Sequence, residues 1–476
     1  MNTRIVNKNN NTPAFKFILS HFDLFISMAL AFFGIYIFYP GAMSLDSVAQ
    51  WLQVIDPRYL TTWHPPVMVY LWSLFNKITP GTQGLLIFHY LIYFLSLYTL
   101  ANVFYSRITH RCLFILILGL FPPIFFFNGV IWKDVSMLTS LSMAFALLFK
   151  FEADKKKIWL LLSICFLLYG ASVRHNAVIC LLPYIVYVLS LLIKTEKKKK
   201  TILLCVLTPM LFFGGVKLTR YANFGFVKDW QVAHNMENSA FIWDLWVMSV
   251  ELKKNIIPQY VFHDPATKLT VKELKDYYVP YTASVLWLPL ISRVKWQKSF
   301  PDKKFKQDFF RLVFKYPLAY LKVRTRIVLY MLGIKKPIIL PYQFKIYKPW
   351  KKDDWLYEAS KDLDFRNKKV LHRAEKLAQL LLDKTPLYLL WVYFVLILLQ
   401  FVGIFLYRNA LGKHFRQYLL VLITGTMYWL PFIFISAAAD FRYSVFVVYC
   451  SVIMLPLLLK GAVHHHNRPL IANKES

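Results

Sequence analysis

Long apolar runs alternate with short polar segments along most of the chain. Ten of these runs approach the ~20 residues that an α-helix needs to cross a bilayer. The predicted spans are 17–40, 83–105, 112–128, 135–151, 158–174, 176–193, 201–218, 386–407, 417–436 and 441–459. A further run at 67–75 is too short to span and is predicted to lie in the membrane interface or to dip in from one side. We therefore predict an all-α polytopic membrane protein with about 10 transmembrane helices (10–12).

The composition supports this prediction. Hydrophobic residues make up 57% of the 476 residues and charged residues only 17%, whereas soluble domains have about 25% charged residues. The formal net charge is +32, but the lysines and arginines form short clusters between apolar runs, where membrane proteins carry them. No nucleic-acid-binding module is visible. The composition thus favours a membrane protein that does not bind nucleic acid.

Basic residues are distributed unevenly between the two sides of the predicted bundle. With the N-terminus in the cytoplasm, the inner loops and tails hold 20 lysines and arginines, whereas the outer loop 41–66 and the three outer turns together hold four. Those four are Arg58, Lys133, Arg174 and Arg442. The positive-inside rule favours this orientation, which places both termini in the cytoplasm.

The chain divides into three parts. Residues 1–218 form an N-terminal transmembrane module with its first outer loop at 41–66, and residues 386–476 form C-terminal spans and a cytoplasmic tail. Between helices 7 and 8, residues 219–385 are predicted to be a folded extracytoplasmic soluble region. Within it, the stretch 309–334 mixes basic with apolar and aromatic residues. This pattern suits an interfacial helix that contacts membrane lipid, and an eleventh span is the alternative.

The first outer loop carries an acid near its start and closes with Trp63-His64-Pro65-Pro66. A carboxylate just outside the hydrocarbon, such as Asp46, can take a proton from an acceptor hydroxyl as a general base. It can equally start a helix, where it favours the helix dipole. His64 either lines a site as a hydrogen-bond donor or belongs to a turn. The sequence leaves these alternatives open.

A second outer turn contains Lys133 and Asp134. Lys133 suits an anionic phosphate, and Asp134 suits a sugar hydroxyl or a metal; a salt-bridged turn is the alternative. No Cys/His/acid spacing typical of a metal site occurs, so we assign no metal ligands. Asp46 and Asp134 could still share a divalent cation.

Two further outer turns contain arginine. Arg174 and Asn176 flank His175 in the middle of a long apolar run, where a simple turn would favour Gly, Asn or Pro. Arg442 and Tyr443 follow a run of small residues that would let a ligand or a helix approach closely. Arg442 can hold a phosphate in fork geometry, with Tyr443 at the interface. Ionisable groups from four separate loops thus gather at the outer mouth of the predicted bundle.

This ordered set of motifs resembles the C-type glycosyltransferase superfamily over residues 17–200 and 386–460. Its members are multi-spanning enzymes related to protein O-mannosyltransferases and lipid A aminoarabinose transferases, and they include bacterial enzymes that decorate surface polysaccharides. The resemblance implies transfer of a sugar from a polyprenyl-phosphate carrier to an acceptor, usually with inversion. The sequence departs from the family where many relatives have two adjacent acids, because Asp46 is followed by Ser47.

The resemblance also implies the roles of the site residues. Asp46 is the expected catalytic base, and Arg442 is expected near the carrier phosphate together with other basic residues. The expected donor phosphate- or sugar-binding residues are Arg442, Lys133, Asp134, Arg174, His64, Asn176 and Tyr443.

We therefore expect a glycosyltransferase of the bacterial inner membrane, with its active site outside the cytoplasm. The expected partners are a polyprenyl-phosphate-linked sugar donor and a glycan, lipid or protein acceptor. A polysaccharide polymerase or ligase is one alternative, because such enzymes also use outer-face arginines. A transporter or flippase is another, although it would favour charges at mid-membrane and repeated halves.

Overall fold

The computed structural model describes residues 20–228, 232, 238–262, 269–276, 278–282 and 302–472. These residues are all-helical, and they contain isolated β-bridges but no β-strand. The predicted basic tail at 1–16, the start of the first span and parts of 219–385 lie outside them.

The α-helices are numbered in chain order. The N-terminal part contains α1 (Phe22–Phe38), α2 (Leu45–Ile55), α3 (Pro66–Ile78), α4 (Gln83–Phe104), α5 (Ile108–Gly119), α6 (Pro122–Asn128), α7 (Lys133–Asp154), α8 (Lys157–Ser172), α9 (Leu181–Leu192) and α10 (Lys197–Phe224). The central part contains α11 (Asn238–Glu251), α12 (Val271–Asp276), α13 (Asp302–Lys315), α14 (Pro317–Met331), α15 (Tyr357–Ser360) and α16 (Lys368–Lys384). The C-terminal part contains α17 (Leu390–Leu406), α18 (Arg408–Leu411), α19 (His414–Trp429), α20 (Phe432–Ile435), α21 (Val445–Ile453) and α22 (Leu455–Ala472). Short 3₁₀ helices cover Pro57–Tyr59, His175–Cys180, Gln259–Val261, Pro386–Tyr388 and Phe441–Tyr443.

Several helices are compatible with a multi-pass membrane protein. Within the described residues, six are long and apolar enough to cross a bilayer, or seven if one bent pair is counted as a single span. The six are Gln83–Phe104, Lys133–Asp154, His175–Leu192, Lys197–Phe224, His414–Ile435 and Val445–Val463. The helices α1, α8 and α17 are apolar but shorter. The predicted apolar runs thus form helices, while the number with full spanning length is smaller than ten.

The predicted span at 112–128 is bent, because α5 and α6 meet at an angle of 69°. The break lies at Phe121, whose ψ of 111° is extended, directly before Pro122 and Pro123. Proline disfavours helical backbone in the residue before it and lacks the N–H that would continue the ladder. The bend is therefore a direct consequence of this sequence.

The single helix predicted near 309–334 is also divided. α13 ends at Lys315 and α14 begins at Pro317, with Tyr316 between them in a non-helical conformation. Proline is well tolerated in the first turn of a helix but not in its interior, which explains the position of the break. Neither helix is among those long and apolar enough to cross a bilayer.

The helix α7 forms the centre of the bundle. It is buried along almost its whole length and packs against α4, α8 and α21. Small hydroxyl residues allow this close packing and form hydrogen bonds between helices. Ser142 Oγ lies 2.6 Å from the hydroxyl of Tyr449 and 2.5 Å from Ser96 Oγ. Lys133 and Asp134 begin this rigid central helix.

Candidate functional site

Backbone hydrogen bonds join the first two predicted outer loops. The N–H of Ala42 donates to the carbonyl of Gly129 at 2.9 Å, and the N–H of Ile131 donates to the carbonyl of Ala42 at 2.8 Å. A side chain at Gly129 would collide with the ring of Phe38, since its Cβ would lie 2.4 Å from a ring carbon. This close approach holds the residues after α1 against those before α7.

Part of the central stretch completes the framework of the site. The N–H of Met43 donates to the carbonyl of Lys345 at 3.0 Å, and the N–H of Tyr347 donates to the carbonyl of Met43 at 2.8 Å. The N–H of Phe441 donates to the carbonyl of Ile339 at 2.8 Å. Residues 339–347 therefore contact both the segment before Asp46 and the segment before Arg442. No pattern in the sequence of this segment indicated such a role.

Asp46 lies in the first turn of α2, which begins with a capping box. The side chain of Ser44 accepts a hydrogen bond from the N–H of Ser47, and the side chain of Ser47 accepts one from the N–H of Ser44. The indole N–H of Trp132 donates to Ser44 Oγ at 2.8 Å and so fixes the start of the helix to the second outer loop. The Asp46 side chain remains one-third exposed. Local capping thus positions an accessible carboxylate.

The guanidinium of Arg442 lies between two carboxylates. Its Nη1 is 3.0 Å from Asp46 Oδ2, and its Nε is 3.0 Å from Asp440 Oδ2. The rings of Trp132 and Tyr443 lie 5.4 and 5.2 Å from the guanidinium carbon, within the range of cation–π attraction. Arg442 is therefore held in place by groups from three different segments.

Asp134 pairs with Arg174 and not with its neighbour Lys133. Arg174 Nη2 lies 2.7 Å from Asp134 Oδ1; the Asp134 side chain is buried and the Arg174 side chain is mostly buried. The Arg174 guanidinium also lies 4.7 Å from the centre of the Tyr443 ring. The salt-bridged turn within Lys133-Asp134 that the sequence offered as an alternative is therefore wrong.

Lys133 is the cation of the cluster that has no direct partner. Within the described residues its ammonium makes no hydrogen bond and no ion pair, although the charges of Asp46 and Asp134 act on it. His64 is close enough to Asp46 for their charges to interact, and it is buried. Its Nδ1 has no hydrogen-bond partner among the described residues. The charge of Lys133 and a polar atom of His64 are thus both unpaired beside Asp46.

Burial and neighbouring charges set the ionisation of the site. Burial raises the pKa of Asp46, but Arg442 and Lys133 outweigh it, so this pKa lies well below its ordinary value of 3.8. Burial raises the pKa of Asp440 above that value although Arg442 opposes the shift. Burial lowers the pKa of His64 to about 3, so its imidazole is neutral at pH 7. Asp46 is consequently an ionised carboxylate next to a neutral histidine.

The site occupies one end of the helix bundle. Glu152, near the other end of α7, accepts hydrogen bonds from the Tyr187 hydroxyl at 2.6 Å and from Gln417 Nε2 at 2.7 Å. The 19 residues between Lys133 and Glu152 correspond to about 28 Å of helix. The four predicted groups therefore gather at the end of the bundle opposite Glu152.

Two predicted participants lie apart from this cluster. Asn176 is half-buried in the 3₁₀ helix after Arg174 and makes none of the contacts described above. Arg58 is exposed and forms its ion pair with Asp56, with 2.6 Å between Nη2 and Oδ2. The convergence of the outer basic residues is therefore incomplete.

Asp440 and Trp132 contact the site residues directly, although the sequence did not assign them. Asp440 lies two positions before Arg442, a spacing that could have indicated an ion pair. The indole of Trp132 follows from no local pattern, because its partner Ser44 is 88 residues away. Both residues orient groups that the sequence did select.

The cluster contains three carboxylates and three cationic side chains, whose formal charges cancel. The carboxylates are Asp46, Asp134 and Asp440, and the cations are Lys133, Arg174 and Arg442. An anion that enters must therefore compete with these carboxylates for the cations. The described residues contain no group of three His, Cys, Asp or Glu side chains that could hold a metal ion. The arrangement offers a carboxylate base next to cationic groups suited to an anionic leaving group.

Comparison with known proteins gives no relative for this chain. No protein-family model matches it, and neither a curated protein nor a solved structure does so.

Proposed function

We propose that this protein is an integral-membrane glycosyltransferase that moves a sugar from a polyprenyl-phosphate carrier to a glycan, lipid or protein acceptor. The main support is the meeting of Asp46, Lys133 and Arg442 from three distant segments, with Asp46 accessible and Lys133 unpaired. Transfer from a carrier phosphate needs one base and a stabilised leaving group, and both are present in this cluster.

The proposed reaction is a single displacement. Asp46 takes the proton of an acceptor hydroxyl while the acceptor oxygen forms a bond to C1 of the sugar. The bond between C1 and the phosphate oxygen breaks, and its electron pair leaves with the phosphate. Lys133 and Arg442 stabilise the negative charge on that leaving group. Attack from the face opposite the phosphate inverts the configuration at C1.

Arg442 links the two halves of this reaction. Its Nη1 lies 3.0 Å from Asp46, which lowers the basicity of that carboxylate. A donor phosphate that draws the guanidinium away would raise the pKa of Asp46 towards its ordinary value. Donor binding would thereby activate the base.

We also propose the membrane arrangement. The ten apolar segments cross the bacterial inner membrane with both termini in the cytoplasm, and the site and the region 219–385 face outwards. The uneven distribution of basic residues and the position of the site at one end of the bundle support this arrangement. Reporters fused near residues 50 and 280 should read as extracytoplasmic, and one after Lys200 as cytoplasmic. A cytoplasmic signal at 280 would refute the orientation.

The function is tested by comparing glycans from cells that carry the intact gene, a deletion, Asp46→Asn or Asp56→Asn. Mass spectrometry of surface polysaccharide, lipids and proteins should show that one sugar is missing from the deletion and from Asp46→Asn. A lipid-phosphate-linked sugar should accumulate in both. Asp56→Asn is the matched control, because Asp56 belongs to the same loop but pairs with the exposed Arg58.

The other outcomes of this comparison are equally informative. Altered glycan chain length or attachment with every sugar present would indicate a polymerase or a ligase. Identical glycans in all four strains would refute glycosyl transfer. If Asp134→Asn is inactive while Asp46→Asn is active, the base lies in the second outer loop. If Asp46→Asn and Asp134→Asn are both inactive and a chelator inhibits the intact protein, a divalent cation shared by the two carboxylates would be favoured.

A further inference from the structure

The helix that begins beside Asp46 carries two buried glutamines on the same face. Gln50 and Gln53 follow Asp46 by one and two helical turns, so the three side chains form one stripe along α2. The Asp46 side chain is 34% exposed, whereas Gln50 and Gln53 are both buried residues. The stripe therefore leads from the accessible carboxylate into the interior.

Neither glutamine has a hydrogen-bond partner in the described part of the chain. Gln50 Nε2 and Gln53 Oε1 are fully buried and unpaired. A buried amide without a partner loses its hydrogen bonds to water and gains none in return. Such groups are rare in folded proteins and call for an explanation, for which a bound ligand is one candidate.

The other buried glutamines of the described residues behave differently. Gln400 donates to the carbonyl of Ser451 at 2.8 Å and accepts from the Tyr418 hydroxyl. The side-chain amides of the remaining three also donate to oxygen atoms of the protein; these are Gln83, Gln343 and Gln417. Among the buried glutamines of the described residues, the two with unpaired amide atoms are thus both on α2, and buried glutamine in this protein is otherwise paired.

Unpaired polar atoms also occur beside the stripe. His64 Nδ1 is buried and unpaired, and His64 interacts electrostatically with Asp46. The indole N–H of Trp72 is buried and unpaired as well, and its ring lies 5.3 Å from that of Trp51 on α2. Unpaired donors and acceptors with aromatic rings on α2 and the segments near it suit a ligand with several hydroxyl groups and apolar ring faces.

We propose that the Asp46–Gln50–Gln53 stripe, together with His64, binds the hydroxyl groups of a pyranose sugar. The two carboxamides donate to and accept from neighbouring hydroxyls, and the sugar then lies next to the carboxylate that acts on it. This inference rests on the proposed function for its choice of a sugar. Its source is either the donor sugar or a sugar of the acceptor.

A binding role and a structural role predict opposite effects of removing the amide. Gln50→Met keeps the length of the unbranched side chain and replaces an unpaired amide with an apolar group. If the amide serves a ligand, the unliganded protein becomes more stable, and the midpoint of thermal unfolding rises by about 2 °C or more. Gln53→Met should behave alike. Gln400→Met is the matched control and should lower the midpoint, because it breaks two existing hydrogen bonds.

The direct test measures ligand binding to the full chain in lipid nanodiscs. The probes are the octyl glycosides of glucose, mannose and galactose, with 1-octanol as the apolar control. At least one glycoside should bind, and Gln50→Met and Gln53→Met should each weaken its binding about 10-fold, the effect of one lost hydrogen bond of about 1.4 kcal/mol. If polyprenyl phosphate competes with the glycoside, the site binds the donor sugar. If it does not compete, the site binds a sugar of the acceptor.

Two results would overturn this inference. One is the absence of binding by every glycoside of the panel. The other is a lowered unfolding midpoint in both glutamine variants with unchanged glycoside binding, which would mean that the amides stabilise the fold through trapped water. If either result occurs while the strain comparison still shows a missing sugar, the proposed function stands and the subsite is wrong. Glycoside binding that depends on Gln50 and Gln53 without any change in cellular glycans would retain the subsite and refute the transferase.

Discussion

Nη1 of Arg442 lies 3.0 Å from Oδ2 of Asp46, although 396 residues separate them in the chain. The same guanidinium contacts Asp440, so two carboxylates neutralise the charge of Arg442. A phosphate that binds Nη1 or Nε of Arg442 must displace a carboxylate. Binding of the anion and release of Asp46 are therefore coupled through one side chain.

Arg442→Ala should weaken binding of polyprenyl phosphate by about 1.5–3 kcal/mol, because a charge-assisted contact is lost. Arg442→Lys should recover only part of the affinity, since the ammonium cannot reproduce the fork of the guanidinium. Titration of the purified protein with polyprenyl phosphate measures both effects. Arg58→Ala is the control, as this exposed arginine pairs with Asp56 away from the cluster. Equal affinity in Arg442→Ala and Arg58→Ala would remove Arg442 from the phosphate site.

Asp46→Asn should bind polyprenyl phosphate more tightly than the unaltered protein while its transfer rate falls by about 10²–10⁴. The asparagine no longer competes as an anion for Arg442, so the expected gain in affinity is several-fold, about 1 kcal/mol. The same titration, combined with a rate measurement, checks this prediction. Weaker binding in Asp46→Asn would show that Asp46 supports the phosphate site directly instead of competing with it.

The buried pair of Arg174 and Asp134 should stabilise the junction between α7 and the end of α8. Arg174→Gln leaves the Asp134 carboxylate buried without its partner, which should lower the free energy of unfolding by about 3–5 kcal/mol. Adding Asp134→Asn to Arg174→Gln should recover part of this loss, and a double-mutant cycle of thermal unfolding would quantify it.

Lys150→Gln provides the comparison for this pair. Lys150 and Asp154 form a partly exposed pair near the other end of α7, and such pairs contribute at most about 1 kcal/mol. If Arg174→Gln is as mild as Lys150→Gln, the buried pair does not stabilise the fold.

Arg324 should position the segment that carries Arg442. Its side chain pairs with the buried Asp244, and its Nη1 donates to the carbonyl of Ser436 at 2.7 Å. Arg324→Gln removes this support, so amide hydrogen exchange in residues 436–443 should become about 10-fold faster or more. Exchange mass spectrometry of the intact protein provides the measurement.

Arg326→Gln is a matched control for Arg324→Gln. Arg326 also belongs to α14, but it pairs with Glu251 and the Tyr278 hydroxyl, not with residues 436–443. Its replacement should leave exchange in that segment unchanged. The same exchange pattern in both variants would show that Arg324 acts through general stability of the central region.

Much of the helical framework follows from the sequence, because apolar length and proline position act locally. The apolar runs form helices where the sequence places them. Pro122 and Pro317 break helices through their effect on the adjacent backbone, which does not depend on the rest of the fold. The sequence also selected Asp46, Lys133, Arg174 and Arg442 as charges next to the ends of apolar runs. Those predictions depend only on each residue and its immediate neighbours.

The pairing of these charges depended on the tertiary structure. Asp134 pairs with Arg174 instead of the adjacent Lys133, and Arg442 contacts Asp46 as well as its neighbour Asp440. Residues 339–347, which had no recognisable pattern, connect the first and last outer segments through backbone hydrogen bonds. Contacts between distant segments are set by how the helices pack and where each side chain then points. A one-dimensional pattern contains the charges of such a site but not the distances between them.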